Sequence, residues 1–466
     1  MPPPTPPNDS SNKPSAIIAP GPPNYYILRH LRSASRDPIG YYTKFWKEYG
    51  DIVRVHWFGN THAHLCLHPS MVEHVLQANW SNYSKGFFYK RLSIFTGNGL
   101  FTSSGETWKT QRRLAQPAFH RAKIENLANL MATTVEEMCQ RWEEEDRTRD
   151  ASAPFDLAGE TMRLALQIAG RALFGSDLQG KEAHRFHELM NAAMSHVEHR
   201  FNPLTLPENI PTRRNQKFLK AKAELDEWIT KLVRERAAHT GPEHDDLLQI
   251  LVDARDPESG QGLSERQLID EVITLLVAGH ETSADALAWG FALLAQNPHT
   301  REELESELSH INGKTLQFAD LADLPYSKMV FEESLRLYPP IWALAREANE
   351  ADEIGGFPIE ARSSVITLPF LTHRHPDFWE APEKFDPTRF SEKNRLNRAK
   401  FAYFPFGGGP RLCIGQQFAL MEGQIALAII SSRYRLELAP FEKLEMHPSL
   451  ALRPRNGLWM IRRKRS

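Results

Sequence analysis

The sequence predicts a mainly α-helical fold with small β-sheets: one large helical domain with a minor strand-rich region near each end. Three observations carry the prediction. Segments 121–145, 157–173, 181–199, 216–239 and 268–295 repeat their apolar residues at helical spacing. Stretches 51–57 (DIVRVHW) and 63–67 (AHLCL) have the β-branched or alternating character of paired strands. No linker-like composition or internal repeat divides the chain after residue 35. Length alone, at 466 residues, would suggest about three domains.

In chain order, residues 1–35 are a proline-dense polar leader, expected to be disordered or loosely docked because such sequence buries too little surface to offset ordering entropy. Residues 36–466 form the globular domain. The leader has no apolar signal-peptide core, and the longest apolar runs fall far short of the ~20 residues of a bilayer span. No transmembrane anchor is expected. Lys plus Arg is 56 and Asp plus Glu is 58, for a net charge of −2, which gives no footprint for nucleic acid. Three cysteines (Cys66, Cys139, Cys413) exclude a disulfide scaffold and suit a reducing, cytoplasmic location.

Cys413 stands apart from the other two. It closes a loop, FPFGGGPRLCIG, whose glycines Gly407, Gly408 and Gly409 permit a turn that other residues resist. A helical run from Gln416 follows, so the thiol sits where backbone N–H groups and the helix dipole favour a thiolate. Such a sulfur can be a nucleophile or a metal ligand. The spacing Phe406-x-x-Gly409-x-Arg411-x-Cys413-x-Gly415 resembles the haem-binding signature of the cytochrome P450 family at all five marked positions.

The resemblance implies the cytochrome P450 fold and a haem b whose iron takes the Cys413 thiolate as axial ligand, with O2 as co-substrate. Phe406 would pack near the sulfur, Gly415 would lie beside it, and Arg411 would pair with a haem propionate. Trp108 and Arg112, in a Trp-x-x-x-Arg pattern, and Arg346 correspond to the family's other propionate contacts.

The central segment carries Ala278-Gly279-His280-Glu281-Thr282. Small residues on one face leave room for a flat group, and Gly279 costs about 1 kcal/mol inside a helix with no evident structural return. Taken alone, Thr282 reads as a residue bonding back to Ala278. The resemblance instead assigns Glu281 and Thr282 to the family's acid–alcohol pair, which relays protons during oxygen activation, with Ala278 and Gly279 against the haem. Glu333 and Arg336, at i and i+3, match the family's Glu-x-x-Arg, and Arg389 in FDPTRF supplies its third partner. These three form a structural clamp. The resemblance spans Gly40 to Arg462.

By the same resemblance, Leu92, Ile94, Phe95, Leu275, Ile341, Trp342, Leu344 and Leu458 line an apolar pocket for a small lipophilic substrate. A medium- or long-chain fatty acid comes first, with Lys90 or Arg91 as a conceivable carboxylate anchor, and a terpenoid or other secondary-metabolite intermediate second. Other classes of reading are a haem-thiolate sensor and a peroxide-driven or isomerising family member. Electrons are expected from a separate ferredoxin with its reductase, or from a flavodoxin-like protein. The acidic run 143–146 and the basic tail 462–465 are expected to be solvated, and the histidines are not expected to form a second metal site.

Overall fold

The computed structural model describes residues 17–23, 36–56, 62–148, 150, 152–175, 180–200, 205–238, 246–311 and 316–465. Its organising element is the helix Glu265–Gln296. Ser264 opens it with a capping box: the Ser264 hydroxyl accepts from the Gln267 N–H, while the Gln267 side chain accepts from the Ser264 N–H. Asn297 and Pro298 end it. From Leu268 to Leu294 every residue is buried except Leu275, Ala278, Gly279 and Thr282.

The other expected helices form at Arg121–Asp146, Leu157–Phe174, Gly180–Arg200 and Arg213–Ala238. Their apolar faces build two cores that share the central helix. One, centred on Trp142, Trp289, Phe331 and Ile425, lies toward the helix Gln416–Arg433. The other, with Phe95, Phe174, Phe218 and Leu276, lies toward Gly180–Arg200 and Arg213–Ala238.

The strand-rich region departs from the expected layout. Strands Ile52–His56 and His62–Cys66 pair antiparallel, as predicted, but their sheet continues into Ser364–Thr367, parallel to His62–Cys66, then Leu344–Ala348 and Tyr83–Ser84. It is therefore one five-stranded mixed sheet drawn from both halves of the chain. Such pairing is long-range, and local periodicity does not encode it.

Most of the leader lies outside the described residues; within 17–23 the chain is docked, the second of the two expected alternatives: the Arg54 N–H donates to the Pro20 carbonyl at 2.8 Å and Ala19 is buried. Another expectation is corrected: the acidic run and basic tail are not independently solvated. Arg462, itself buried, donates to Asp146 at 2.8 Å and Glu145 at 2.9 Å, and Lys464 lies 3.3 Å from Glu143. Among the described residues, no helix is long and apolar enough to cross a membrane.

Candidate functional site

The cysteine loop is shaped by backbone constraint. Gly409 adopts φ +64, and a Cβ there would meet the Leu76 carbonyl oxygen at 1.9 Å, so no other residue fits. A Cβ at Gly408 would strike Phe401 at 2.3 Å. The Cys413 N–H donates to the Phe406 carbonyl at 3.0 Å, closing the loop, and the helix Gln416–Arg433 starts three residues later. Cys413 is solvent-accessible, yet protein surrounds it closely enough that dehydration pushes its thiol up. The Gly415 N–H and the Arg112 guanidinium oppose that shift without reversing it. The Gly415 N–H acts in the direction expected of a helix terminus, and the burial of the sulfur acts against it.

The accessible residues of the central helix, Leu275, Ala278, Gly279 and Thr282, fall at i, i+3, i+4 and i+7, a single stripe on an otherwise buried rod. A Cβ at Gly279 would meet nothing nearer than the Ala169 Cβ at 4.0 Å, so packing does not require glycine there. The Thr282 hydroxyl donates to the Ala278 carbonyl at 2.6 Å, the back-bond weighed from sequence. With its proton committed, the hydroxyl presents acceptor lone pairs to the accessible side. Neighbouring Glu281 is buried, and burial, reinforced by Glu198 and opposed by Arg453, pushes its carboxyl up to about 7.

Around the loop the structure gathers arginines that no carboxylate pairs with among the described residues. Arg346 is buried and donates to the Tyr89 hydroxyl at 3.1 Å and the Ala345 carbonyl at 2.9 Å. Arg411 lies over the Trp108 ring at 4.5 Å, with a long bond to the Ser103 carbonyl at 3.3 Å and its Nε buried without a partner. Burial, then Arg346, pushes the Arg411 guanidinium down to about 10. Arg112 is half-buried and likewise lowered by burial, with Cys413 opposing. Among the described residues, none of these forms a salt bridge with a carboxylate, and the Trp108 indole N–H makes no protein hydrogen bond. A half-dehydrated, mutually repelling cation cluster of this kind fits a dianionic group such as a haem with two propionates.

Sequence reasoning missed a fourth cation, Lys85. Its ammonium donates to the Leu100 carbonyl at 3.1 Å and to the Phe101 carbonyl. Burial, then Arg411 and Arg346, hold it well below the usual lysine range, with Glu271 opposing. A lone lysine in a loop carries no sequence signal; its burial beside two arginines does.

Glu333 and Arg336 of the clamp are fully buried. Arg336 grips Glu333 with two bonds, 2.7 and 2.8 Å, and donates to the carbonyls of His373, Pro382 and Lys384. Arg389 is looser, 3.5 Å from Glu333. His373, not singled out from sequence, joins this clamp to the cysteine loop. Its Nε2 accepts from the Phe404 N–H at 2.9 Å, which puts the ring proton on Nδ1, facing the Arg336 carbonyl at 3.3 Å.

The expected pocket residues divide. Leu275, Ile94, Ile341, Trp342 and Leu344 are partly accessible, and Leu344 lies beside the loop, 3.8 Å from where a Gly407 Cβ would be. Trp342 donates to the Ser449 carbonyl at 2.9 Å. Leu92 and Phe95 are instead buried in the second core. Leu458 is fully buried in the first core, where its carbonyl accepts from Leu157 at 2.8 Å, so it is not a wall residue. The wall candidate near the C-terminus is Leu450, at the tip of the hairpin Met446–Pro448/Leu452–Pro454 and partly accessible against the second core.

A profile described as Cytochrome P450 matches residues 19–460. The chain therefore belongs to the cytochrome P450 family of monooxygenases, whose members carry a haem-thiolate iron, use O2 and take electrons from a redox partner. It is 33% identical over 441 residues to "Cyclooctatin synthase" of Streptomyces melanosporofaciens, covering 93% of each chain. It is also 33% identical over 417 residues to "Cyclooctat-9-en-7-ol 5-monooxygenase" of the same organism, covering 89% of this chain and 88% of that one. Among solved structures, "Crystal structure of cytochrome P450DA heme domain" superposes with a TM-score of 0.87 at 26% identity, covering 97% of this chain and 98% of that one.

Proposed function

We propose that the protein is a haem b monooxygenase that inserts one oxygen atom into a cyclic terpenoid, with Cys413 as axial ligand. The cluster of three arginines that form no salt bridge among the described residues is the observation that carries the site assignment. Arg112, Arg346, Arg411 and Lys85, with the Trp108 indole, would hold the propionates, and the clamp through His373 fixes the loop that presents the sulfur. Bound there, the haem supplies reductive activation of O2 and transfer of one oxygen atom.

The chain's own residues contribute the rest. Ala278 and Gly279 leave space along the accessible stripe. The Thr282 hydroxyl, its proton on Ala278, accepts a hydrogen bond from water and orients it. Glu281, with a carboxyl near neutrality, can hold and release a proton at working pH. Leu275, Ile341, Leu344 and Leu450 offer apolar walls that place a substrate by shape. Electrons come from a separate ferredoxin or flavodoxin-like donor.

The terpenoid reading now stands ahead of the fatty-acid one. The two relatives from Streptomyces melanosporofaciens are named for cyclooctat compounds. The conceivable fatty-acid anchors are also committed elsewhere: Arg91 donates to the Arg200 carbonyl and lies over the Phe87 ring at 4.3 Å, while Lys90 is exposed. The test is a titration of ferric protein with cyclic terpene alcohols and with fatty acids, following the low-spin to high-spin shift of the Soret band. A saturable shift with the terpene alcohols alone is expected. A shift with fatty acids alone would restore the earlier order.

A further inference from the structure

One turn beyond Glu281 on the central helix lies Asp285, also buried, at 4% exposure. At i and i+4 the two carboxyls share a face, their Cβ atoms about 6 Å apart. No salt bridge or hydrogen bond within the protein joins either carboxyl to a partner among the described residues. A buried acid with no fixed partner is costly as a structural device.

The surroundings supply what an isolated pair lacks. The Trp289 indole donates to the Leu452 carbonyl at 2.8 Å and fixes the hairpin strand Leu452–Pro454 against the central helix. The next residue, Arg453, reaches across to Glu198 on the helix Gly180–Arg200 at 3.3 Å. Their side chains are 39% and 21% exposed, so the ion pair is in contact with solvent. Glu198 and Arg453 both act on Glu281 and on Asp285, and Glu281 also acts as a like charge on Asp285. His447, on the partner strand, has Arg453, Glu198 and Arg455 as its charged neighbours, and on the helix Gln416–Arg433 the buried Glu422 faces the central helix at Ser283, whose hydroxyl it accepts from at 2.6 Å. On the adjoining helix Leu157–Phe174 the ionisable side chains turn elsewhere, Arg163 to Glu160 and Arg171 to Glu137.

We propose that Asp285 is a proton-relay residue which, one turn behind Glu281 and beneath the half-exposed Glu198–Arg453 pair, resupplies Glu281 from solvent. When Glu281 passes a proton toward Thr282, Asp285 returns one to Glu281 and takes its own replacement from water at the ion pair. One solvent proton enters for each delivered, and no electrons move in these steps. Burial keeps both carboxyls up, Asp285 most strongly, so the relay is loaded at neutral pH. This proposal rests on the acid–alcohol reading of Glu281 and Thr282 and adds to it a second acid and an entry point.

The test uses haem-loaded protein with a ferredoxin, its reductase and NADPH, measuring oxygen consumption across pH in H2O and D2O. D285N is expected to slow consumption about tenfold or more and to change the solvent isotope effect, with D285E restoring both. The half-exposed pair gives variants of opposite sign: R453Q should move the pH midpoint up, and E198Q should move it down. A merely structural Asp285 would lower stability and leave the isotope effect and midpoints in place.

E281Q separates the two levels of the argument. If E281Q alters consumption while D285N, R453Q and E198Q behave as wild type, the relay is overturned and the acid–alcohol reading survives. If E281Q also behaves as wild type, that reading itself fails.

Discussion

Replacing Arg336 by leucine tests how the cysteine loop is held. The guanidinium makes five hydrogen bonds of 2.7–3.0 Å, two to Glu333 and one each to the carbonyls of His373, Pro382 and Lys384. Arg336→Leu leaves the Glu333 carboxylate in the interior with only the Asp386 N–H, at 2.9 Å, and the more distant Arg389. Breaking one side of such a buried pair costs about 3–5 kcal/mol. Three carbonyls deprived of their donor add about 1 kcal/mol each. The sum, about 6–8 kcal/mol, approaches the whole stability of a typical domain, about 5–15 kcal/mol. Urea unfolding followed by tryptophan fluorescence should show a large fall in midpoint, with haem lost before global unfolding. Glu333→Leu combined with Arg336→Leu should cost less than Arg336→Leu alone, because no uncompensated charge remains. A loss of only about 1 kcal/mol for Arg336→Leu, the scale of a surface ion pair, would refute the buried-clamp account.

Three further outcomes follow from local geometry. Gly409→Ala should abolish haem loading, since its Cβ would overlap the Leu76 carbonyl, whereas Gly279→Ala should stabilise the haem-free chain by up to about 1 kcal/mol and alter ligand binding through the accessible stripe; haem titration and thermal melts distinguish them. Thr282→Ala should uncouple the reaction, with NADPH consumed and peroxide released, and Thr282→Ser should recover much of the coupling; equal peroxide yields would remove Thr282 from the mechanism. Glu422 is fully buried, accepts from the Ser283 hydroxyl at 2.6 Å and is pushed up to about 8 by that burial. The folded state therefore binds this proton more tightly than the unfolded state, and its contribution to stability falls as pH rises from the ordinary glutamate value toward 8. Glu422→Gln should flatten that part of the pH–stability curve, and an unchanged slope would contradict a neutral Glu422.

The helices were legible because burial of one face imposes a period that short windows of sequence carry. The cysteine loop was legible for a different reason: Gly409, Arg411 and Cys413 each meet a local constraint, so their spacing is itself the signal. What stayed hidden depends on distant contacts. Arg462 pairs with residues more than 300 positions away, and the strand Ser364–Thr367 inserts beside the N-terminal hairpin. The exchange of Leu458 for Leu450 has the same origin. Both are leucines beside turns in the last strands, and only tertiary packing puts one in the core and the other at a hairpin tip. His373 and Lys85 likewise take their significance from burial beside particular partners.

The most direct test of the central claim is the absorption spectrum of reduced, carbon monoxide-bound protein, wild type against Cys413→Ala. The wild type should give the red-shifted Soret band of thiolate-ligated haem, and the variant should lose it. Cys66 and Cys139 cannot substitute, since both are fully buried and burial pushes their thiols up to about 12. The same band in Cys413→Ala, or no Soret band in wild type after haem supplementation, would contradict the account.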